Sequence, residues 1–338
     1  MKIIMLQRSI VGLAAVLSAG TAALAADKPV IAFANSYYGN TNRHQQVDAF
    51  TAAAEEAKKA GRISDYVVLN GDGSVNTQVT HFNDLTLRHV DAIVTILASE
   101  AALNGSINKA CKAGIKVVTV EVPPTTDCPY KLNIDFVGNS EKTVEQAMQA
   151  AGGKGNVLVV RGVKGNGNDK KAYDGQMAGL KKFPDGKVVG EVYGNWSGPE
   201  AQAAVTAALP NLPHVDVVLA QGGGDGYGVL QAFQQTPAYK DKMPVIIGGN
   251  ETDFVTWWQA EKAKNGYNTV SVSTNPSQAG AAFWFALNVV EGASPKKEIT
   301  VPETIITNDN VDSFKDLEPN KIVSAHWDEA WTKDNLLK

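Results

Sequence analysis

Asn35-Ser36-Tyr37-Tyr38-Gly39-Asn40-Thr41-Asn42-Arg43 gathers amides, hydroxyls, two phenol rings and a guanidinium in one short stretch. Groups of this kind suit a polyhydroxylated solute. Amides and carboxylates match its hydroxyls, and aromatic rings cover its apolar face. The same stretch also reads as a polar loop ahead of a helix. Glu121, in Val120-Glu121-Val122-Pro123-Pro124, is either an acid that accepts hydroxyl protons or an exposed loop carboxylate. Trp196, in Tyr193-Gly194-Asn195-Trp196, is a stacking platform or a residue of a domain edge.

Two glycine-rich segments invite a phosphate or dinucleotide reading, and their spacing argues against it. Arg161 to Lys170, which includes Asp169, has the glycines to cradle an anion but not the Gly-Lys-Ser/Thr ending of a phosphate loop. Gln221-Gly222-Gly223-Gly224-Asp225-Gly226 does not fit G-x-G-x-x-G. Gly248-Gly249-Asn250-Glu251 and Ser273-Thr274-Asn275-Pro276 each offer an Asn that serves as a turn or helix-cap residue as readily as a ligand contact.

Signals for catalysis are missing. There is no G-x-S-x-G elbow. The five histidines (His44, His81, His89, His214 and His326) show no metal-ligand spacing. Carboxylates are plentiful, yet no pair announces itself as a glycosidase site. We therefore expect no enzyme, no catalytic residue, no metal and no cofactor. A formal charge of -4 gives no reason to expect nucleic acid as a partner.

These segments share one property: each follows a strand candidate. Short, β-branched runs occur at Val30 to Phe33, Tyr66 to Leu69, Ala92 to Thr95 and Ile115 to Val120. A second series covers Val157 to Val160, Val188 to Tyr193, Val215 to Ala220 and Val245 to Ile247, with a further strand at Thr269 to Ser273. Nearly continuous apolar runs of this length read as parallel strands covered on both faces. Helical patterns lie between them, at Gln45 to Ala60, Val75 to Arg88, Ala101 to Ala113, Asp169 to Lys181, Pro199 to Leu209, Gly226 to Gln234 and Pro276 to Glu291. The alternation predicts right-handed βαβ units in two α/β domains, split near Asp135 to Glu141. Ligands of open parallel sheets sit beyond the carboxyl ends of the strands. Polar or aromatic groups at many strand ends, from both halves, would then converge on one cleft.

The first 25 or so residues have the parts of a secretory leader. Lys2 and Arg8 are basic, Ser9 to Ala22 is apolar and small, and Ala23-Leu24-Ala25 fits a cleavage site. A membrane anchor is the other reading, although the apolar run falls short of a span of about 20 residues. An exported chain with two cysteines, Cys111 and Cys128, favours one disulfide over two separate buried thiols.

Over nearly its whole mature length the chain resembles the type I periplasmic binding proteins of the ribose- and galactose-binding class, which feed sugar ABC importers. The segments that carry the resemblance are Ile31 to Ser36, Ala113 to Val120, Leu219-Ala220-Gln221 ahead of the glycine cluster, Ile247-Gly248-Gly249-Asn250, and Ser273 to Gly280. The cysteine spacing resembles a branch of that family with a disulfide beside the fourth strand. The resemblance implies two doubly wound parallel-sheet lobes joined by a three-segment hinge. It places residues 27–136 and 275–301 in an N-terminal lobe, and 137–274 and 302–338 in a C-terminal lobe.

The ligand set implied by the resemblance is Asn35, Ser36, Tyr37, Tyr38 and Asn42, with Arg43 close by. Glu121 stands where the family has an acid for sugar hydroxyls, and Trp196 at a ring-stacking aromatic. Asp169 or Lys170 falls near a position the family gives to Arg, Asn250 at a contact residue and Thr274 at the hinge. Val122 replaces the expected Arg after the acid. Gly222 replaces an expected amide or acid, a role for which Asp225 is the substitute. Both departures suggest a polyol or a less common sugar. The implied partners are a sugar or polyol and an ABC transporter permease, with the chain a monomer in the periplasm. A sensory role, an amino-acid or nucleoside ligand, and a secreted carbohydrate-active enzyme remain as alternatives.

Overall fold

The structure, a computed structural model, describes residues 28–338. The leader expected over residues 1–25 lies outside them.

The first lobe opens with β1 (Val30–Asn35), α1 (Thr41–Lys59), β2 (Asp65–Asn70), α2 (Val75–Leu87), β3 (Ala92–Ile96), α3 (Asn104–Lys112), β4 (Lys116–Glu121) and β5 (Tyr130–Asn133). The second continues with α4 (Phe136–Ala150), β6 (Lys154–Arg161), α5 (Gly167–Leu180), β7 (Asp185–Tyr193), α6 (Gly198–Ala208), β8 (Val217–Leu219), α7 (Gly226–Gln234), β9 (Val245–Ile246), α8 (Thr252–Asn265) and β10 (Val270–Ser273). The chain ends with α9 (Gln278–Val290), β11 (Glu298–Thr300), β12 (Thr304–Thr307) and α10 (Glu329–Asn335).

The first sheet runs β11-β5-β4-β3-β1-β2, with every pair parallel. Ile31, Ala32, Phe33 and Ala34 are wholly buried, because helices cover both faces of the central strand. Helix α9 packs on α1, β3 and β4. Its residues Gln278 to Val289 are all buried, which accounts for an apolar pattern with no polar face. The second sheet runs β7-β6-β8-β9 in parallel. A bridge from Gly248 to Ser271 extends it to β10, and β12 pairs with β10 antiparallel.

Three passages join the sheets: β5 to α4 at 133–136, β10 to α9 at 273–278, and β11 to β12 at 300–304. One assignment needs correction. The expectation gave all of 302–338 to the second lobe. Segment 304–323 does pack there, with Ile306, Val311 and Val323 in its core. Trp327 and Leu336 instead join the core of the first lobe, and α10 packs on α9. The physical cause is a set of tertiary contacts. Trp327 and Trp331 stack at 4.1 Å, and Arg62 of the first lobe bridges Glu291 and Glu329. The two tryptophans and Leu336 thereby bury apolar surface that a solvent-facing tail would leave wet.

Cys111 and Cys128 form a disulfide with their Cα atoms 6.3 Å apart, tying the end of α3 to the loop before β5. Among the described residues no helix is long and apolar enough to cross a membrane.

Candidate functional site

A cleft enclosing about 530 Å³, part of it open to solvent, lies between the lobes at the carboxyl ends of the strands. Asn40, Asn42, Arg43 and Glu121 line it from the first lobe. Asn168, Ala172, Trp196, Gln221, Gly222 and Gly223 line it from the second. Each passage between the sheets adds to it: Phe136 from the first, Ser273 and Thr274 from the second, Glu303 from the third.

The first-lobe wall is set by the start of α1. Asn40 is the N-cap, and its side chain accepts from the Arg43 backbone N–H at 2.9 Å. The helix therefore begins at Thr41, ahead of the expected Gln45. Its first turn turns Asn42 and Arg43 into the cleft. Glu121 closes β4 at a φ of 64°, a left-handed backbone that redirects its side chain away from the sheet.

Three side chains hold its carboxylate. Oε2 accepts from Arg43 Nη2 at 2.8 Å, and Oε1 accepts from Gln46 Nε2 at 2.9 Å and from Gln278 Nε2. Gln46 in turn accepts from Arg43 Nη1 at 2.7 Å and donates to Asn42 Oδ1 at 2.7 Å. Asn42 Nδ2 donates to the Thr274 carbonyl at 3.0 Å. One network thus fixes the acid, the guanidinium and the second passage.

Trp196 supplies the second-lobe wall. It and Asn195 both have φ near 55° (55° and 53°), a tight reversal that lays the indole over Gly162. A Cβ at residue 162 would lie 2.2 Å from the ring, so only glycine fits beneath it. Asn166 caps α5, accepting from the Asn168 N–H at 2.8 Å. Asn168 Oδ1 is buried with no hydrogen-bond partner among the described residues. Across the cleft, Lys171 of α5 meets Glu100, which follows β3, at 2.5 Å. Gln45 exchanges two hydrogen bonds with the Ile322 backbone, at 3.0 and 2.7 Å.

Of the expected ligand residues, the structure brings Asn42, Arg43, Glu121, Trp196 and Thr274 together in the cleft. The others do not line it. Asn35 and Ser36 are buried, with Asn35 bonded to Asn70 at 3.1 Å. Tyr37 and Tyr38 are exposed, and Tyr38 stacks on His44 with ring centroids 4.2 Å apart. Asp169 is held by Arg161 at 2.6 and 2.9 Å and by the Gly162 N–H at 3.0 Å, so its charge is spent inside the lobe. Lys170 points outward to Asp174 at 2.5 Å. Asn250 is wholly buried and donates to the Thr304 carbonyl at 2.7 Å. Asp225 is buried behind Gly222, whose N–H donates to it at 3.1 Å. Sequence reasoning missed Asn168, Gln221 and Glu303. Asn168 was within reach of the helix-cap pattern, one residue before the pair singled out.

Two carboxyl environments are unusual. Burial, with Glu251 nearby, pushes the Asp225 carboxyl well above the ordinary range. A raised folded-state pKa stabilises below the unfolded value and loses that contribution as pH rises. Asp225→Asn is therefore expected to flatten the fall of the melting temperature as pH rises above the ordinary carboxylate range, read by thermal melts across pH. Burial also lifts Glu303, up to about 7, with Glu121 and Asp135 adding to the rise and Asn139 opposing it. Among the described residues no cluster of three or more His, Cys, Asp or Glu side chains has the form of a metal site.

Two parallel-sheet lobes, a hinge of three passages and a polar cleft at the strand ends define the type I periplasmic binding protein architecture. The chain belongs to the periplasmic binding protein domain family, whose model matches residues 31–294. It is similar to an ABC transporter solute binding protein of Thermobispora bispora, with 33% identity, TM-score 0.83, and coverage of 91% of this chain and 94% of that one. The xylitol-binding protein of Mycolicibacterium smegmatis is 26% identical over 246 residues, covering 72% of this chain and 68% of that protein. The D-allose-binding periplasmic protein of Escherichia coli is 25% identical over 249 residues, covering 70% and 76%.

Proposed function

We propose that the chain captures a monosaccharide or polyol between its lobes and delivers it to the permease of an ABC importer, acting in the periplasm after removal of a leader ending near Ala25. The observation that carries this reading is the cleft. It draws amides, hydroxyls, two acids and an indole from both lobes and all three passages onto one partly open space. A ligand touching both walls favours the closed arrangement by its differential contacts. The relatives named for xylitol and D-allose support the substrate class. No catalytic chemistry is required of any lining residue.

The test is the melting temperature of the mature chain, stripped of ligand by unfolding and refolding, against xylitol, D-xylose, D-allose, amino acids and nucleosides. A ligand at about 100 times its Kd adds about 2.7 kcal/mol, a rise of several degrees. A response to one sugar or polyol, with the solute recovered unchanged, supports the reading. A response confined to an amino acid or nucleoside overturns it. Trp196→Ala is expected to weaken binding roughly tenfold through loss of the stacking face, with little change in the melt of the empty protein. Calorimetric titration of the variant beside the unaltered chain checks this.

A further inference from the structure

We infer that Glu303, and not Glu121, is the acid that grips the ligand, and that it selects neutral polyols over anionic ones. The inference rests on the sugar or polyol reading above and names the group that enforces it.

Glu121 has little left to offer. Both its oxygens are occupied by side-chain donors, from Arg43, Gln46 and Gln278. It acts as a positioning residue that holds Arg43 and Gln46 in place. Glu303 is differently placed. It sits on the third passage, just before β12, and lines the cleft. Among the described residues its carboxylate takes one side-chain hydrogen bond, from Asn139 Nδ2 of α4 at 2.7 Å. The other oxygen is left for a ligand hydroxyl to donate to.

Charge around Glu303 is one-sided. Glu121 at the end of β4 and Asp135 ahead of α4 face it, and neither is a cation. Among the described residues Arg43 is the one cationic side chain lining the cleft, and it is paired with Glu121. A ligand carboxylate or phosphate would meet two acids and no free positive partner, a juxtaposition that costs affinity. A neutral polyol meets an acceptor with a spare oxygen. These same neighbours, together with burial, keep Glu303 half-protonated near neutral pH. The ionised form accepts a stronger, charge-assisted bond from a hydroxyl than the neutral acid does. Affinity for a polyol must then fall as pH drops through about 7.

The experiment is calorimetric titration at about pH 5.5 and about pH 8.5 with four probes: xylitol, D-xylose, D-allose and the acid D-xylonate. For the neutral probe that binds, the expected affinity is roughly five- to tenfold weaker at the lower pH. D-xylonate is expected to bind more weakly than D-xylose at both. Glu303→Gln keeps the shape and removes the charge. It should bind the neutral probe with the same affinity at both pH values and narrow the gap between D-xylonate and D-xylose. Folding of the variant is checked by its melt. The raised pKa makes ionised Glu303 a destabilising group above the ordinary carboxylate range, so the variant should melt higher at the alkaline pH. Neutral binding that is flat in pH, or a variant that keeps the full dependence, overturns the assignment of Glu303 while leaving the polyol reading in place. Failure of every neutral probe at both pH values overturns both.

Discussion

Glu121→Ala is expected to lower the unfolding free energy by about 3 kcal/mol and to weaken ligand binding roughly 100-fold. The change leaves Arg43 without its partner at 2.8 Å and frees the amides of Gln46 and Gln278 in a buried setting. Removing one member of a buried pair strands the other charge, which costs more than the pair itself contributes. Arg43 retains some exposure, with 17% of its side chain open, so the lower end of the range applies. Binding suffers because the freed guanidinium no longer has a fixed position in the cleft, and because Asn42 loses its anchor through Gln46. Urea unfolding and calorimetry read the two effects separately. Loss of affinity without loss of stability would mean that Glu121 contacts ligand and holds nothing else.

Replacing Cys111 and Cys128 together by Ser is expected to cost about 3 kcal/mol, in the chain-entropy account of a short cross-linked loop. For a protein of this size that lowers the melting temperature by roughly 5–10 °C. Affinity should barely change. The bridge joins the end of α3 to the start of β5, on the side of the first sheet away from the carboxyl ends that carry the cleft. An unchanged melt would mean that the bond contributes no stability, and thiol titration of the unaltered chain would show whether it forms.

Much of this fold is legible because parallel strands covered on both faces leave little room for polar residues. Ile31 to Ala34, Val117 to Val120 and Val157 to Val160 are buried on both faces and read as strands without ambiguity. Strands β5, β11 and β12 escape that reading. They are three or four residues long, and β11 carries two exposed positions at the edge of its sheet. Helix α4 also escapes it, although Val144, Ala147 and Met148 on its inner face are buried. The placement of α10 depends on a tertiary contact, the Arg62 bridge, that no local pattern encodes.

The cleft was legible where it obeys the strand-end rule. Asn42, Arg43, Glu121, Trp196 and Thr274 all lie shortly after a strand and all line it. The rule failed in two ways. It gave no sign of which strand-end groups are consumed locally, as Asp169 is by Arg161 and Asn250 by the Thr304 carbonyl. It also had no hold on Glu303, which precedes a strand and sits on a passage between lobes. Asp169 shows how a strand-end charge is spent inside its own lobe. The guanidinium that meets it is Arg161, at the end of β6, which turns inward toward Tyr173 and Tyr193.

The central claim is that one polyol or sugar is held between the lobes. A crystal structure of the chain with whichever of xylitol, D-xylose or D-allose raises its melt tests that most directly. The account predicts one ligand per chain in the cleft, its carbon face against Trp196 and its hydroxyls within hydrogen-bond distance of Asn168 and Glu303. A ligand bound on the outer surface, or touching one lobe only while the cleft stays empty, would contradict it.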